Sequence, residues 1–537
     1  MRKAHAVPTW DPIYLEIYKH LFSSVADEMG SVLRKASFSP NIKERRDFSC
    51  AIFDSSGQMV AQAAHIPVHL GSMPLSVMSA IQAFSSDTTR LQSGDMVILN
   101  DPFLGGTHLP DITLVAPVFI DENAKVPFGY VASRAHHADV GGMTPGSMPL
   151  SREIYQEGII IPPVKIVNKG CVDSSIMSIL TANVRTPDER RGDFLAQIAS
   201  NQRGITRLQE IVRRYGSSHV TLYMEHLITY TEGMTRRLIA NLPDGIYSFT
   251  DYLDDDGITQ DPIPIQATIT IAGDHAIVDF SGSAQQQAGS LNAVYAITIS
   301  AVYYVFRCLI GLDVPNNSGC LRPVQVIAPE GTIVNAKHPA AVAGGNVETS
   351  QRIVDVLLGA LYQACPDRIP AASQGTMNNL TIGGWDEKRQ RYFAYYETIG
   401  GGTGACLGSR GQSAVHSHMT NTLNTPIEAI EYSYPLRVIQ YSIRRGSGGA
   451  GTWQGGDGIR RDIQMLENVQ ATILSERRKI APYGLANGDN GTPGHNFLFR
   501  NGEEHELGSK GSYSLQAGDI LSIQTPGGGG FGVPIRD

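Results

Sequence analysis

Five side chains able to bind a metal or move a proton fall in one stretch of this 537-residue chain: His108, Asp111, His136, His137 and Asp139, all between Gly94 and Gly142. Met96-Val97-Ile98-Leu99 reads as a core strand. It gives way to Asn100-Asp101-Pro102-Phe103-Leu104-Gly105-Gly106-Thr107-His108-Leu109-Pro110-Asp111, a polar turn rich in ligand-type groups. Neutral imidazole with carboxylate suits a borderline or hard divalent ion, Zn, Mn or Fe, and carboxylate oxygens tilt the choice toward Mn or Fe. Pro110 argues against a regular helix, so His108 and Asp111 belong to an irregular loop whose side chains can converge. On a strand, His136 and His137 point to opposite faces. At most one of them can share a metal with His108, and the other is left as a supporting or acid/base group. HxxD is a short pattern, so spacing alone leaves a metal site and a solvated loop with one core histidine both open.

Other groups carry weaker signals. His65 and His69 imitate the HxxxH spacing of helical zinc sites, but Pro67 stands between them and Gly71 follows. They are expected to line a pocket or satisfy buried backbone groups rather than share a helical face. Lys43-Glu44-Arg45-Arg46-Asp47 is dense charge ahead of an apolar strand. A solvated face is the ordinary explanation, and a further carboxylate ligand in Asp47, with the arginines meeting an anionic substrate group, is the sharper one. The glycine clusters around Gly400, Gly446 and Gly455 could cradle phosphate through backbone N–H groups, yet no GxxxxGK[ST] or strand-GxGxxG-helix pattern is present. An ATP site on this chain is therefore not expected, and turn glycines with positive φ are. Cys50 and Cys406 lack an activating histidine nearby in sequence, which favours buried structural thiols. Ser413, His416, His418 and Thr420 would line either a substrate channel or an exposed loop.

The elements that must position these groups follow from hydrophobic periodicity. Asp11-Pro12 opens a helix with Tyr14, Ile17, Leu21, Val25 and Met29 at helical spacing, continuing through Val32 and Leu33. Phe48 to Phe53, the turn Asp54-Ser55-Ser56-Gly57, and Gln58 to Ala63 make a hairpin, and strand and loop signals continue to Pro163. From Ser174 to Ala240 the pattern is helical, with Phe194, Ile198, Ile205, Leu208, Ile211 and Val212 on one face and a second helix from Val220 to Leu238. Short alternating runs from Pro243 to Gly282 predict antiparallel sheet. Helices are expected over Val294 to Ile310 and Thr349 to Cys365. The expected class is α+β with several domains: a mixed α/β metal-site region over 1–170, a helical spine over 171–242, an α+β middle region with antiparallel sheet over 243–395, and a Gly-rich β lobe over 396–537.

Bulk composition narrows the function classes. Apolar residues make up 42% of the chain, enough for the cores of two or more domains. With 43 basic against 51 acidic residues and no run of five like charges, binding of nucleic acid or anionic membrane is disfavoured as the main business. The six cysteines are far apart and form no CxxC pair, which disfavours a zinc ribbon or redox dithiol and suits the cytoplasm. Neither a signal peptide nor an 18-residue apolar run is evident.

Longer strings carry a family resemblance. Arg45-Arg46-Asp47-Phe48-Ser49-Cys50-Ala51, His65-Ile66-Pro67-Val68-His69-Leu70-Gly71-Ser72-Met73-Pro74, Asn100-Asp101-Pro102 with Gly105 to Asp111, and Arg134-Ala135-His136-His137-Ala138-Asp139-Val140-Gly141-Gly142 together resemble the hydantoinase B/oxoprolinase family. Thr420-Asn421-Thr422, Asn424 to Glu428, Gly446 to Gly451 and Thr525 to Gly532 agree, so the likeness runs over nearly the whole chain. The resemblance implies the B-type, or α, subunit of an ATP-dependent enzyme that opens cyclic amides such as hydantoins, 5-oxoproline and lactams. The same family includes subunits of acetone and acetophenone carboxylases, and a non-catalytic assembly role is a third possibility. It further implies a hydantoinase A-type ATPase partner in a hetero-oligomer, which binds ATP and phosphorylates the substrate oxygen. Carried over position by position, the divalent metal (Mn or Zn, with Fe as a third choice) would be held by Asp47, His108, Asp111 and His136, with His137 or Asp139 as the supporting or acid/base group.

Overall fold

The computed structural model describes residues 10–63, 66–86, 88–121, 124–311 and 313–534. His65 and residues 1–9 lie outside them. Helix α1 (Pro12–Ala36) starts where the Asp11 carboxylate accepts the Ile13 backbone N–H at 2.9 Å, with Pro12 at a position whose missing N–H costs nothing. Its buried face is Leu15, Tyr18, Phe22, Val25, Met29 and Leu33, whereas Tyr14 and Ile17 are exposed. Two apolar stripes overlap at the start of this helix, and the one expected from Tyr14 and Ile17 turns out to be the outer one.

A single-turn helix, α2 (Pro40–Lys43), leads into the hairpin of β1 (Phe48–Asp54) and β2 (Met59–Gln62). Asp54 Oδ1 accepts from the backbone N–H groups of Ser56 and Gln58, and Gly57 supplies the φ of +82° that closes the turn. Helix α3 (Ser72–Ala83) falls where only strand and loop were expected. Its Ser72 and Ser76 hydroxyls accept from the buried Arg134 guanidinium at 2.6 and 2.7 Å, so a tertiary anchor fixes a helix whose own apolar pattern is short.

Strands β3 (Met96–Leu99), β4 (Asp111–Val118), β5 (Gly129–His136), β6 (Val164–Asn168) and β7 (Cys171–Val172) complete a seven-stranded sheet of order β2-β1-β5-β4-β3-β6-β7, antiparallel throughout. The helical stretch after Ser174 forms α4 (Ser174–Ala182), α5 (Pro187–Tyr215) and α6 (Ser217–Ala240). Helix α5 packs on α1, β4 and β5. It does so with polar groups as well as apolar ones: Gln197 and Asn201 donate to the Ile112 and Leu114 carbonyls at 3.0 Å.

The middle region contains β8 (Gly245–Leu253), β9 (Ile263–Ala272), β10 (His275–Asp279), α7 (Tyr295–Ile310), β11 (Val324–Ile327) and α8 (Ser350–Tyr362). The expected antiparallel strands β8 to β10 gain β11, which pairs parallel to β10. A π-helical turn, Gly345–Thr349, precedes α8. Strands β12 (Asn379–Asp386) and β13 (Arg391–Glu397), helix α9 (Ile427–Ser433), and β14 (Leu436–Arg444) through β15 (Gly458–Met465), β16 (Val469–Leu474), β17 (His495–Arg500), β18 (Glu503–Leu507), β19 (Lys510–Leu515) and β20 (Ile520–Gln524) build two further sheets, ordered β13-β12-β16-β19 and β14-β15-β20-β17-β18. The fold is thus α+β with several separate sheets. One apolar core runs from Leu15 to Leu474 and a second gathers Leu380 to Ile523.

The glycine clusters are not the positive-φ turns expected. Of Gly400 to Gly404, Gly446 to Gly458 and Gly527 to Gly530, only Gly446 has a positive φ. The others lie in extended segments packed backbone against backbone: Gly402 N–H donates to Pro526 O, Gly456 N–H to Thr403 O and Gly528 N–H to Gly456 O. A Cβ on Gly402 would stand 1.9 Å from Gly456 O, and one on Gly528 2.0 Å from Thr403 O. Glycine is needed there for close approach rather than for turning. Of the two thiols expected to be buried, Cys50 is buried and Cys406 is only half-buried, while Cys320 is buried and Cys171 and Cys308 are exposed. No helix among the described residues is long and apolar enough to cross a membrane.

Candidate metal centre

Three neighbouring strands of the first sheet bring the chemistry together at one end. Asp47 immediately precedes β1, His136 ends β5 and Asp111 starts β4; Asp111 and His136 are direct cross-strand partners, and the His136 N–H donates to the Asp47 carbonyl at 3.0 Å. The loop before Asp111 then needs only to place His108. Asn100 anchors that loop, its Nδ2 donating to the Leu109 carbonyl at 2.8 Å.

His108 Nε2, His136 Nδ1 and Asp111 Oδ1 form a triangle with sides of 3.2, 3.2 and 3.2 Å. All three residues are buried, Asp111 and His136 being 1% and 2% exposed. His108 Nδ1 lies 3.3 Å from the Ala343 carbonyl, so its proton sits there and its Nε2 lone pair faces the triangle. An imidazole lone pair and a carboxylate oxygen therefore converge beside a second imidazole in a buried site. That is the donor set and spacing of a shared divalent ion, and these three residues could hold one.

Electrostatics favour the ligand form of His136 and Asp111. Burial pushes His136 below the ordinary imidazole value, against the pull of Asp111 and Asp47. For Asp111, burial alone would raise the pKa, but His108 and His69 outweigh it and hold the carboxyl well below its usual range. A His136 ring that resists protonation beside an ionised Asp111 carboxylate is what coordination requires.

The carboxylate is also fixed in place. Asp111 Oδ2, the oxygen outside the triangle, accepts the Thr107 hydroxyl at 2.6 Å and lies 3.3 Å from His69 Nε2. His69 Nδ1 is 2.9 Å from the Ser49 hydroxyl. A lone pair on Nε2 would repel the carboxylate, so the Nε2 nitrogen carries the proton and Ser49 donates to Nδ1. His69 thus lines the site, as one of its two sequence readings held. On the other side Tyr396 stacks on His136, ring centroids 4.3 Å apart and 14° from parallel, under the Arg45 guanidinium. Arg45 is fully buried, and it is bound by Asn41, the Tyr396 carbonyl and Thr398. The solvated face expected for this charge run does not describe it.

The remaining expected site residues are not corners of the triangle. Asp47 stands beside the triangle, with Oδ2 3.7 Å from Arg45 Nη2; burial raises its pKa while His136 and Arg45 lower it. His137 faces α5, stacked on Phe194 and donating Nε2–H to Gln197 Oε1 at 2.9 Å, because strand alternation turns it to the opposite face from His136. Asp139 is buried and paired with Arg185, Oδ1 2.8 Å from Nη1. His416 and His418 do not form an exposed loop: both rings present buried nitrogens, and His418 lies 3.9 Å from Asp355. Thr107, Tyr396 and Asn346 are contributors that no spacing rule marked. Asn346 donates to His108 Nε2 at 3.0 Å from 238 residues away, and only a three-dimensional contact reveals it.

The chain is similar to known proteins over nearly its whole length. A protein from Methanocaldococcus jannaschii is 45% identical over 98% of this chain and 91% of its own length. 5-oxoprolinase 1 of Arabidopsis thaliana is 42% identical over 98% of this chain, which spans only 42% of that longer protein. Among solved structures, the ATP-dependent caprolactamase from Pseudomonas jessenii superposes with a TM-score of 0.90 at 29% identity, covering 98% of this chain and 92% of the caprolactamase chain. The family model described as hydantoinase B/oxoprolinase matches residues 11–534, and this chain belongs to that family.

Proposed function

We propose that this chain is the metal-binding B-type subunit of an ATP-dependent cyclic-amide hydrolase, which opens a hydantoin, 5-oxoproline or lactam ring after a hydantoinase A-type ATPase has phosphorylated the amide oxygen. The observation that carries the reading is the buried triangle of His108, Asp111 and His136, in a chain whose relatives are named for 5-oxoproline and caprolactam. These three residues would hold a divalent ion, Mn, Zn or Fe, with Asp47 as a fourth donor once its carboxylate turns from Arg45. Water bound at such a site would have its pKa lowered from about 15.7 toward about 7, which would make hydroxide available at neutral pH.

The protein's own groups do the positioning. Thr107 and His69 hold the outer oxygen of Asp111 so that its partner oxygen stays in the triangle. Tyr396 fixes the plane of the His136 ring and closes that face to water. His137 and Asp139, tied to Gln197 and Arg185, would support the strand end that carries His136. The amide carbonyl is a poor electrophile, and phosphorylation gives its oxygen the character of a leaving group. No phosphate-binding fingerprint occurs in this sequence, which is why the ATP site is assigned to the partner.

Reconstitution with the ATPase subunit tests the reading. Hydantoins, 5-oxoproline and lactams are screened for ATP-dependent ring opening, and His108→Ala is expected to abolish it. Bicarbonate-dependent ATP turnover on a ketone would assign the complex to carboxylation instead, and full activity in His108→Ala would reduce the chain to an assembly role.

A further inference from the structure

The π-helical turn Gly345–Thr349 places one side chain against the metal triangle that belongs to neither the His/Asp set nor the sheet. Asn346 is 3% exposed, and its Nδ2 lies 3.0 Å from His108 Nε2 and 3.5 Å from Asp111 Oδ2. Its carbonyl oxygen, Oδ1, is buried with no hydrogen-bond partner among the described residues. We propose that Asn346 is a further oxygen donor of the metal centre, contributed by the π-helical turn beside His108 and Asp111.

Three observations support it, and the inference rests on the reading that the triangle holds a metal. First, the His108 Nε2 lone pair that accepts the Asn346 amide is the one a cation takes. An amide N–H₂ next to a cation is repelled, whereas an amide oxygen is attracted. Second, a half-turn of the carboxamide exchanges nitrogen and oxygen and breaks no bond made by Oδ1, because it makes none. Third, a π-helical turn inside a helical segment costs regular hydrogen bonding and recurs at functional sites. Here it projects Asn346 at the triangle while the next turn begins α8. The amide fixing the His108 tautomer is the competing role, but the Ala343 carbonyl at 3.3 Å from Nδ1 already does that. An oxygen donor added to two imidazoles and carboxylate favours Mn or Fe over Zn.

Mn²⁺ and Zn²⁺ affinities of the purified full chain, measured by competition with a fluorescent chelator, decide it for wild type, Asn346→Ala and Asn346→Asp. Circular dichroism and thermal melting check that each variant folds. Asn346→Ala is expected to weaken Mn²⁺ binding about 10- to 100-fold. Asn346→Asp, which keeps an oxygen but cannot donate to His108, is expected to match or exceed wild type. A change of less than about threefold in Asn346→Ala overturns the proposal, as does Asn346→Asp binding as weakly as Asn346→Ala, since loss in both assigns Asn346 the donor role instead. Wild type that binds neither metal overturns this proposal and the metal reading together; wild type that binds through His108 and Asp111 with Asn346→Ala unchanged overturns this one alone.

Discussion

Asp111 shows how one carboxylate can be divided between two tasks. Its inner oxygen joins His108 and His136 at 3.2 Å, while its outer oxygen is occupied by Thr107 at 2.6 Å and His69 at 3.3 Å. Groups that hold a ligand from behind matter nearly as much as the ligand itself. His69→Ala is accordingly expected to cost about 10- to 100-fold in metal affinity without removing a donor, whereas His108→Ala should lose the ion altogether; a chelator competition titration separates the two. At this scale the sequence was informative for residue types and uninformative for partners. Imidazoles and carboxylates in a polar turn drew attention to His108, Asp111 and His136, and strand alternation separated His136 from His137. Thr107 and Asn346 escaped because hydroxyls and amides are common everywhere, and only their contacts give them meaning.

Elements explain why these residues meet. Hydrophobic periodicity was enough to expect α1 and the long helices after Ser174, since each buries a helical stripe, and the β1–β2 hairpin, buried on both faces, was legible from two apolar runs around a glycine turn. It missed α3, which is held by serine contacts to Arg134, and misread the glycine segments, whose constraint is backbone proximity. That constraint has a measurable consequence. Gly402→Ala, whose Cβ would meet Gly456 O, is expected to destabilise the fold by about 1–3 kcal/mol. Gly233→Ala in α6, with open space around it, should be neutral or stabilising by up to about 1 kcal/mol. Thermal melts of the pair compare them directly. The π-helical turn carries a second signature. Burial raises the Glu348 pKa from 4.5 to about 8, with Thr376 opposing and Glu476 adding to it. A folded-state value above the unfolded one means that its contribution to stability is full below pH 4.5 and is lost as pH rises through about 8. Over that window stability should fall by up to about 1.4 kcal/mol per pH unit from this group, and Glu348→Gln should flatten the slope in denaturant titrations at pH 5, 6.5 and 8. An unchanged slope would show that Glu348 does not titrate in this range.

For the whole molecule, the first sheet builds the centre and residues far along the chain close it: Asn346 from the middle region and Tyr396 from β13. The site is therefore a property of the entire fold, which fits a family model that spans residues 11–534. The chain spans 42% of the Arabidopsis 5-oxoprolinase it matches, and the proposed ATPase role falls to a partner of this region. Everything downstream of that assignment depends on whether the buried triangle holds an ion. Elemental analysis of the purified chain alongside Asp111→Ala measures this most directly. The expected result is about one Mn, Zn or Fe per chain in the wild type and almost none in the variant. Wild type without stoichiometric metal, or a folded Asp111→Ala variant with undiminished metal, would contradict the account.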